Sequence, residues 1–136
     1  MNLNNFFDQL ELVKEFTVPM MMNKNKLCTI NNWASTHYMA KSRIKNEYKE
    51  LLMSFFLDGE KIPEDSIFVW TPEYKDKRRR DSINSAAIAK VIEDTIVITG
   101  SMIDDNKTSH LLLPGTVDKS LNEHLMNIKI YSQSKK

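Results

Sequence analysis

Four consecutive cations, Lys77-Arg78-Arg79-Arg80, run directly into Asp81-Ser82-Ile83-Asn84, and Gly100-Ser101-Met102-Ile103-Asp104-Asp105-Asn106 follows one helix and a turn downstream. Guanidinium groups grip phosphate oxygens bidentately and give affinity without sequence information. Carboxylates from separate segments offer the hard oxygen ligands that Mg²⁺ prefers, while water and phosphate oxygens complete its shell. Cations for phosphates and acids for a divalent metal are the two ingredients of metal-dependent phosphodiester cleavage. Asp81, Asp104 and Asp105 are therefore the candidate metal ligands, with Mg²⁺ expected and Mn²⁺ an acceptable substitute. Each group also has a plainer use. Asp81 can cap a helix, worth about 1 kcal/mol, Asp104-Asp105-Asn106 can be turn chemistry, and the arginines can form a solvated charged face.

A small set of elements has to position these groups. From Asp81 or Ser82 to about Ile96 the chain reads as a helix, with Ile83, Ala87, Val91 and Asp94 on one stripe, and Gly100 marks the turn out. Ser66-Ile67-Phe68-Val69-Trp70 reads as a strand closed by Thr71-Pro72, and Ser109 to Leu113 and Asn127 to Tyr131 read as later strands. Upstream, Phe16 to Met22 reads as a strand in which Pro19 favours an edge position. Asn23 to Asn32 is a polar loop carrying Lys24 and Lys26. Ser35 to Leu57 reads as a long helix, with Tyr38, Ile44, Tyr48, Leu51, Leu52 and Phe55 near helical spacing and Asp58-Gly59 at its end. Residues 1–14 form a lead-in with Phe6, Phe7, Leu10 and Val13 at roughly helical spacing. The order strand, helix, strand, helix, strand, strand predicts an α+β fold, a small mixed β-sheet with two main helices packed on it. It forms a single domain over residues 15–132, followed by a frayed tail at 133–136.

At 136 residues the chain supports one core but not two, and an apolar content of 41% suits a packed globule. A net charge of only +1 means that any nucleic-acid binding must come from local clusters, here Lys24 and Lys26, Lys41 with Arg43 and Lys45, and Lys75 to Arg80. Cys28 is the only cysteine, which excludes an internal disulfide and a cysteine-based zinc site. The first residues show neither a basic n-region nor an apolar h-region, and no stretch approaches membrane-spanning length. A reducing, cytoplasmic location is the resulting expectation. His37, His110 and His124 stand singly without metal-ligand spacing, and packing roles are expected for them. Trp33 and Trp70 read as core or interface aromatics, and Met20-Met21-Met22 as half core and half sheet edge. Lys90 can pair with Glu93 or Asp94 at i,i+3 or i,i+4, or steady negative charge on a phosphate.

Arg78-Arg79-Arg80-Asp81 before a helix, Asn84 within it, and Gly100 followed by Asp104-Asp105-Asn106 resemble the RusA family of Holliday junction resolvases. The pattern of that family is a basic run, Asp-x-Asp-Asn opening a helix, a Gly turn and an Asp-Asp pair. The resemblance is best over residues 66–106 and extends loosely over 15–132. It implies a small two-fold dimer in the bacterial cell, often phage- or prophage-encoded, that uses Mg²⁺ to cut four-way DNA junctions symmetrically. It implies Asp81, Asp104 and Asp105 at the metal, Asn84 orienting a ligand or water, and Lys90 as the candidate for the family's helix lysine. Lys75, Lys77, Arg78, Arg79 and Arg80 would dock the DNA backbone, with Lys24 and Lys26 on a second arm. One departure matters: the second acid of Asp-x-Asp-Asn falls on Ile83, and Lys90 lies further along the helix than the family lysine. Either the site works with fewer carboxylates, or the protein binds branched DNA without cutting it.

Overall fold

A computed structural model describes residues 9–23, 26–27, 34, 37–56, 60–63, 65–76, 86–98 and 108–133. Its strands show the alternation of a sheet with one face on the core. In β7 (Leu125–Ser132), Met126, Ile128 and Ile130 point inward and are fully buried. In β1 (Glu11–Pro19), Phe16 and Val18 do the same. The pattern changes in β4 (Ile67–Tyr74), where four successive residues, Ile67 to Trp70, are buried, so this strand is covered on both faces. The sheet order is β1-β7-β4-β5, with β5 at Ser109–Leu112, and β6 (Thr116–Val117) pairs with the far end of β4. β7 is antiparallel to both β1 and β4, whereas β5 and β6 run parallel to β4. The sheet is thus mixed. β2 (Met21–Asn23) and β3 (Lys26–Leu27) form a separate small hairpin.

Helix α1 (Tyr38–Met53) turns Ile44, Tyr48 and Leu52 inward, a single stripe at i, i+4 and i+8. His37 caps its start, with ring Nδ1 accepting from the Met39 N–H at 3.3 Å. Helix α2 (Ala86–Ile98) is apolar nearly all round: Ala87, Ile88, Ala89, Val91, Ile92, Thr95 and Ile96 are buried, and the helix packs against α1. The two helices and the inward side chains of β1, β4 and β7 form one core cluster. No helix among the described residues is long and apolar enough to cross a membrane.

The order of the main elements agrees with expectation, and Pro19 does end an edge strand. Several boundaries differ. β1 begins at Glu11, so residues 11–14 belong to the sheet and not to a helical lead-in. A register shift between Leu12 and Lys14 breaks the strand alternation there. Lys14 is held inward by the Phe55 carbonyl and Glu60, both at 2.7 Å, with its ammonium over the Phe56 ring. α1 spans 38–53 and leaves Tyr38 71% exposed, off the stripe expected for it. Phe55 and Phe56, beyond its end, pack their rings against Phe16 instead. Beside the start of β1, Ser132 is buried and paired with Glu11, and the Gln133 amide donates to the Asp65 carbonyl at 2.7 Å. Within the expected loop 23–32, Lys26 and Leu27 form β3.

Asp118, after β6, accepts from both the hydroxyl and the N–H of Ser120, which holds its carboxyl below the usual range. Gly115, between β5 and β6, passes so close to Tyr74 that a Cβ there would press into the ring. Ile128→Ala should cost about 2–5 kcal/mol in urea unfolding, because a central-strand cavity cannot refill. Leu12→Ala, at a half-exposed edge position, should stay within about 0.5 kcal/mol.

Candidate functional site

The connection from β4 to α2 carries the basic run and Asp81-Ser82-Ile83-Asn84, and the connection from α2 to β5 carries Gly100 to Asn106. Lys24, Lys77, Arg78, Arg79, Arg80, Asp81, Ile83, Asn84, Asp104 and Asp105 lie outside the described residues. Lys26 stands in the β2–β3 hairpin, apart from the main sheet. Lys75 is exposed at the exit of β4, and its N–H donates to Nδ1 of buried His124 at 3.2 Å. The backbone is therefore anchored two residues before the basic run starts. Lys90 is an exposed residue of α2 whose ammonium lies 3.1 Å from Asp94 at i,i+4, one of the two pairings its spacing allowed.

Because β4 and β5 are parallel, α2 must run back between them, and its two connections leave from opposite ends of the helix. Thirteen residues of α-helix span about 20 Å. That distance is shortened by one contact. The hydroxyl of Thr108, just before β5, donates to Glu93 Oε2 at 3.0 Å. Glu93 lies only about 10 Å along the helix from Ala86. The chain that carries Asp104 and Asp105 thus re-enters the described structure beside the middle of α2.

Around that contact, Trp70, Ala89, Lys90, Glu93, His110 and Leu112 line a cleft of about 190 Å³. The indole N–H of Trp70 donates to His110 Nδ1 at 2.9 Å. Indole can only donate, so Nδ1 is the acceptor and the hydrogen of the neutral imidazole sits on Nε2. That nitrogen faces Glu93 Oε2 in close contact, and the Thr108 hydroxyl is 3.1 Å from it. Glu93 is only 6% exposed, and a polar group so far from water needs such hydrogen-bond partners. Glu93 is also among the residues that line the cleft.

Sequence patterns do not single out Glu93 and His110 as a pair. In sequence Glu93 is a helix acid within reach of Lys90, and His110 stands alone on a strand. His110 does pack, against the rings of Phe68 and Trp70 at 5.2 and 5.9 Å, but it also completes the polar network. Among the described residues no three His, Cys, Asp or Glu side chains gather as metal ligands. No known protein-family model and no curated protein matches the chain.

His110→Phe should keep the ring packing yet strand the Trp70 N–H and one side of Glu93, destabilising the fold by about 1–3 kcal/mol in urea unfolding. Lys90→Ala removes an exposed pair and should cost less than about 1 kcal/mol in the same assay.

Proposed function

We propose that the chain is a RusA-like, Mg²⁺-dependent endonuclease acting as a two-fold dimer on four-way DNA junctions, in recombination or phage DNA processing in the bacterial cytoplasm. The observation that favours it is the Thr108–Glu93 contact within the β4–α2–β5 crossover. Asp105 precedes Thr108 by three residues, a reach of about 11 Å, and Asp81 precedes Ala86 by five, a reach of about 18 Å. Glu93 and Ala86 are about 10 Å apart along α2. These reaches overlap, so chain length allows Asp81, Asp104 and Asp105 to share one ion. The three carboxylates are a hard-oxygen donor set of the kind that suits Mg²⁺, or Mn²⁺ in its place.

Mg²⁺, when bound, would activate the attacking water and offset charge on the phosphate. The remaining work falls to the chain. Arg78, Arg79 and Arg80, with Lys75 and Lys77, dock the DNA backbone, and Lys24 and Lys26 touch a second arm. Asn84 orients a ligand or the water. Lys90, on the exposed face of α2, adds positive charge near the scissile phosphate. Two opposed strands must be nicked in one encounter, and a two-fold dimer supplies two equivalent sites for that.

A second reading has its own support. Ala87 and Val91, four and eight residues after Ile83 in sequence, are both buried, so the sequence stripe that Ile83 extends is apolar. On this reading the protein keeps the basic patch and binds branched DNA without cutting it. Asp105→Asn separates the two. Under the endonuclease reading it abolishes junction nicking and leaves the gel-shift affinity intact; nicking that persists in the variant contradicts the metal assignment. Replacing Arg78, Arg79 or Arg80 by Ala should flatten the salt dependence of binding, by roughly 0.9 in log–log slope for each phosphate left without its cation.

A further inference from the structure

Helix α1 re-sorts the cations that lie near one another in sequence. Lys45 and Lys49 each follow a buried residue, Ile44 and Tyr48, by one position, and Lys41 stands one turn before Lys45. The three lysines, at i, i+4 and i+8, therefore run along one flank of the buried stripe. Arg43 and Glu47 each precede Ile44 and Tyr48 by one position, so they fall on the other flank, with Glu50 beside them. One flank thus carries lysines alone among its charged residues. Like charges one turn apart disfavour a helix, and an acid between them would have relieved that cost. Among the described residues, neither Lys45 nor Lys49 has a carboxylate partner. Their stems are partly covered, while an ammonium without a partner must reach water. Tyr38, three residues before Lys41, heads the same flank and is largely exposed.

Spacing and charge narrow the class of partner. From Lys41 to Lys49 the ridge runs about 12 Å, with a cation roughly every 6 Å. Along one DNA strand the same length holds about three phosphates, at about 3.4 Å of rise each. A row of ammonium groups supplies charge without base recognition, which is what a backbone contact needs. An exposed aromatic at its head adds a face on which a base can stack. A lipid surface is the other extended polyanion, but a helix that binds one must offer it an apolar face. The apolar stripe of α1, Ile44, Tyr48 and Leu52, is buried in the core. We propose that Tyr38, Lys41, Lys45 and Lys49 form a further DNA-backbone contact, holding one arm of the junction along α1. This rests on the nucleic-acid reading above and extends the binding surface from the connections around α2 to a second helix.

The test is a salt titration of gel-shift affinity on a four-way junction with the wild-type chain, the double variant Lys45→Gln/Lys49→Gln, Tyr38→Ala and Lys119→Gln. Glutamine removes the charge while keeping a helix-forming side chain. Lys119, an exposed residue after β6, reports what the loss of any one positive charge does. The double variant should flatten the log–log salt slope by roughly 1.8, about 0.9 for each phosphate left without its cation. Tyr38→Ala should weaken binding roughly fivefold at every salt concentration without changing the slope, as loss of a stacking contact does. Lys119→Gln should match the wild type. A double variant that binds firmly with the wild-type slope overturns the ridge and leaves the endonuclease reading standing. An equal fall in slope per charge for Lys119→Gln also overturns the ridge, because the effect is then one of general charge. Failure of the wild type to bind any junction, with or without capture on phosphatidylserine vesicles, overturns both. Should the double variant not fold, Lys49→Gln alone decides, with half the fall in slope expected.

Discussion

The parallel pairing of Ile67–Trp70 with Ser109–Leu112 is the constraint from which the rest of the structure follows. Parallel neighbours cannot be joined by a tight turn, so the chain must cross over the sheet between them. The crossover is α2, and packed beside α1 within the shared core it is apolar on almost every side, as its buried residues show. The same pairing fixes where the chemistry-bearing segments attach. The cations leave from the end of β4, and the Asp pair arrives at the start of β5. Antiparallel β7 then closes the other side of β4 and brings β1 to the edge.

The polar network of Trp70, His110, Glu93 and Thr108 is the counterweight to that apolar core. β5 is a short strand of four residues at the sheet margin, with little apolar burial of its own. Hydrogen bonds from β4 through His110 to Glu93 tie it to both its strand partner and the crossover helix. Satisfied networks in a low-dielectric setting are specific because each broken bond strands its partner. The network therefore fixes the return of the α2–β5 connection as well as the shape of the cleft beside it.

Much of the frame is legible in the sequence. Ile44, Tyr48 and Leu52 recur at helical spacing, Ile67 to Trp70 form an apolar run, and Pro19 signals an edge; these are local patterns that burial imposes directly. The start of β1 is not legible, because the irregular register between Leu12 and Lys14 interrupts the alternation that identifies a strand. β2, β3 and β6 are two or three residues long and carry too little pattern to read. The pairing of Glu93 with His110 depends on strand register and helix docking, neither of which a local pattern records. For the candidate metal site, residue types and order are readable, while the mutual placement of Asp81, Asp104 and Asp105 lies outside the described residues.

The most direct test of the central claim is incubation of end-labelled four-way junctions with the protein and Mg²⁺, mapping the cut positions on all four strands. The account predicts paired nicks at symmetry-related positions on two opposed strands, absent when the metal is chelated. Firm junction binding with no nicks in Mg²⁺ or Mn²⁺ would contradict it and leave a DNA-binding relative disarmed at Ile83.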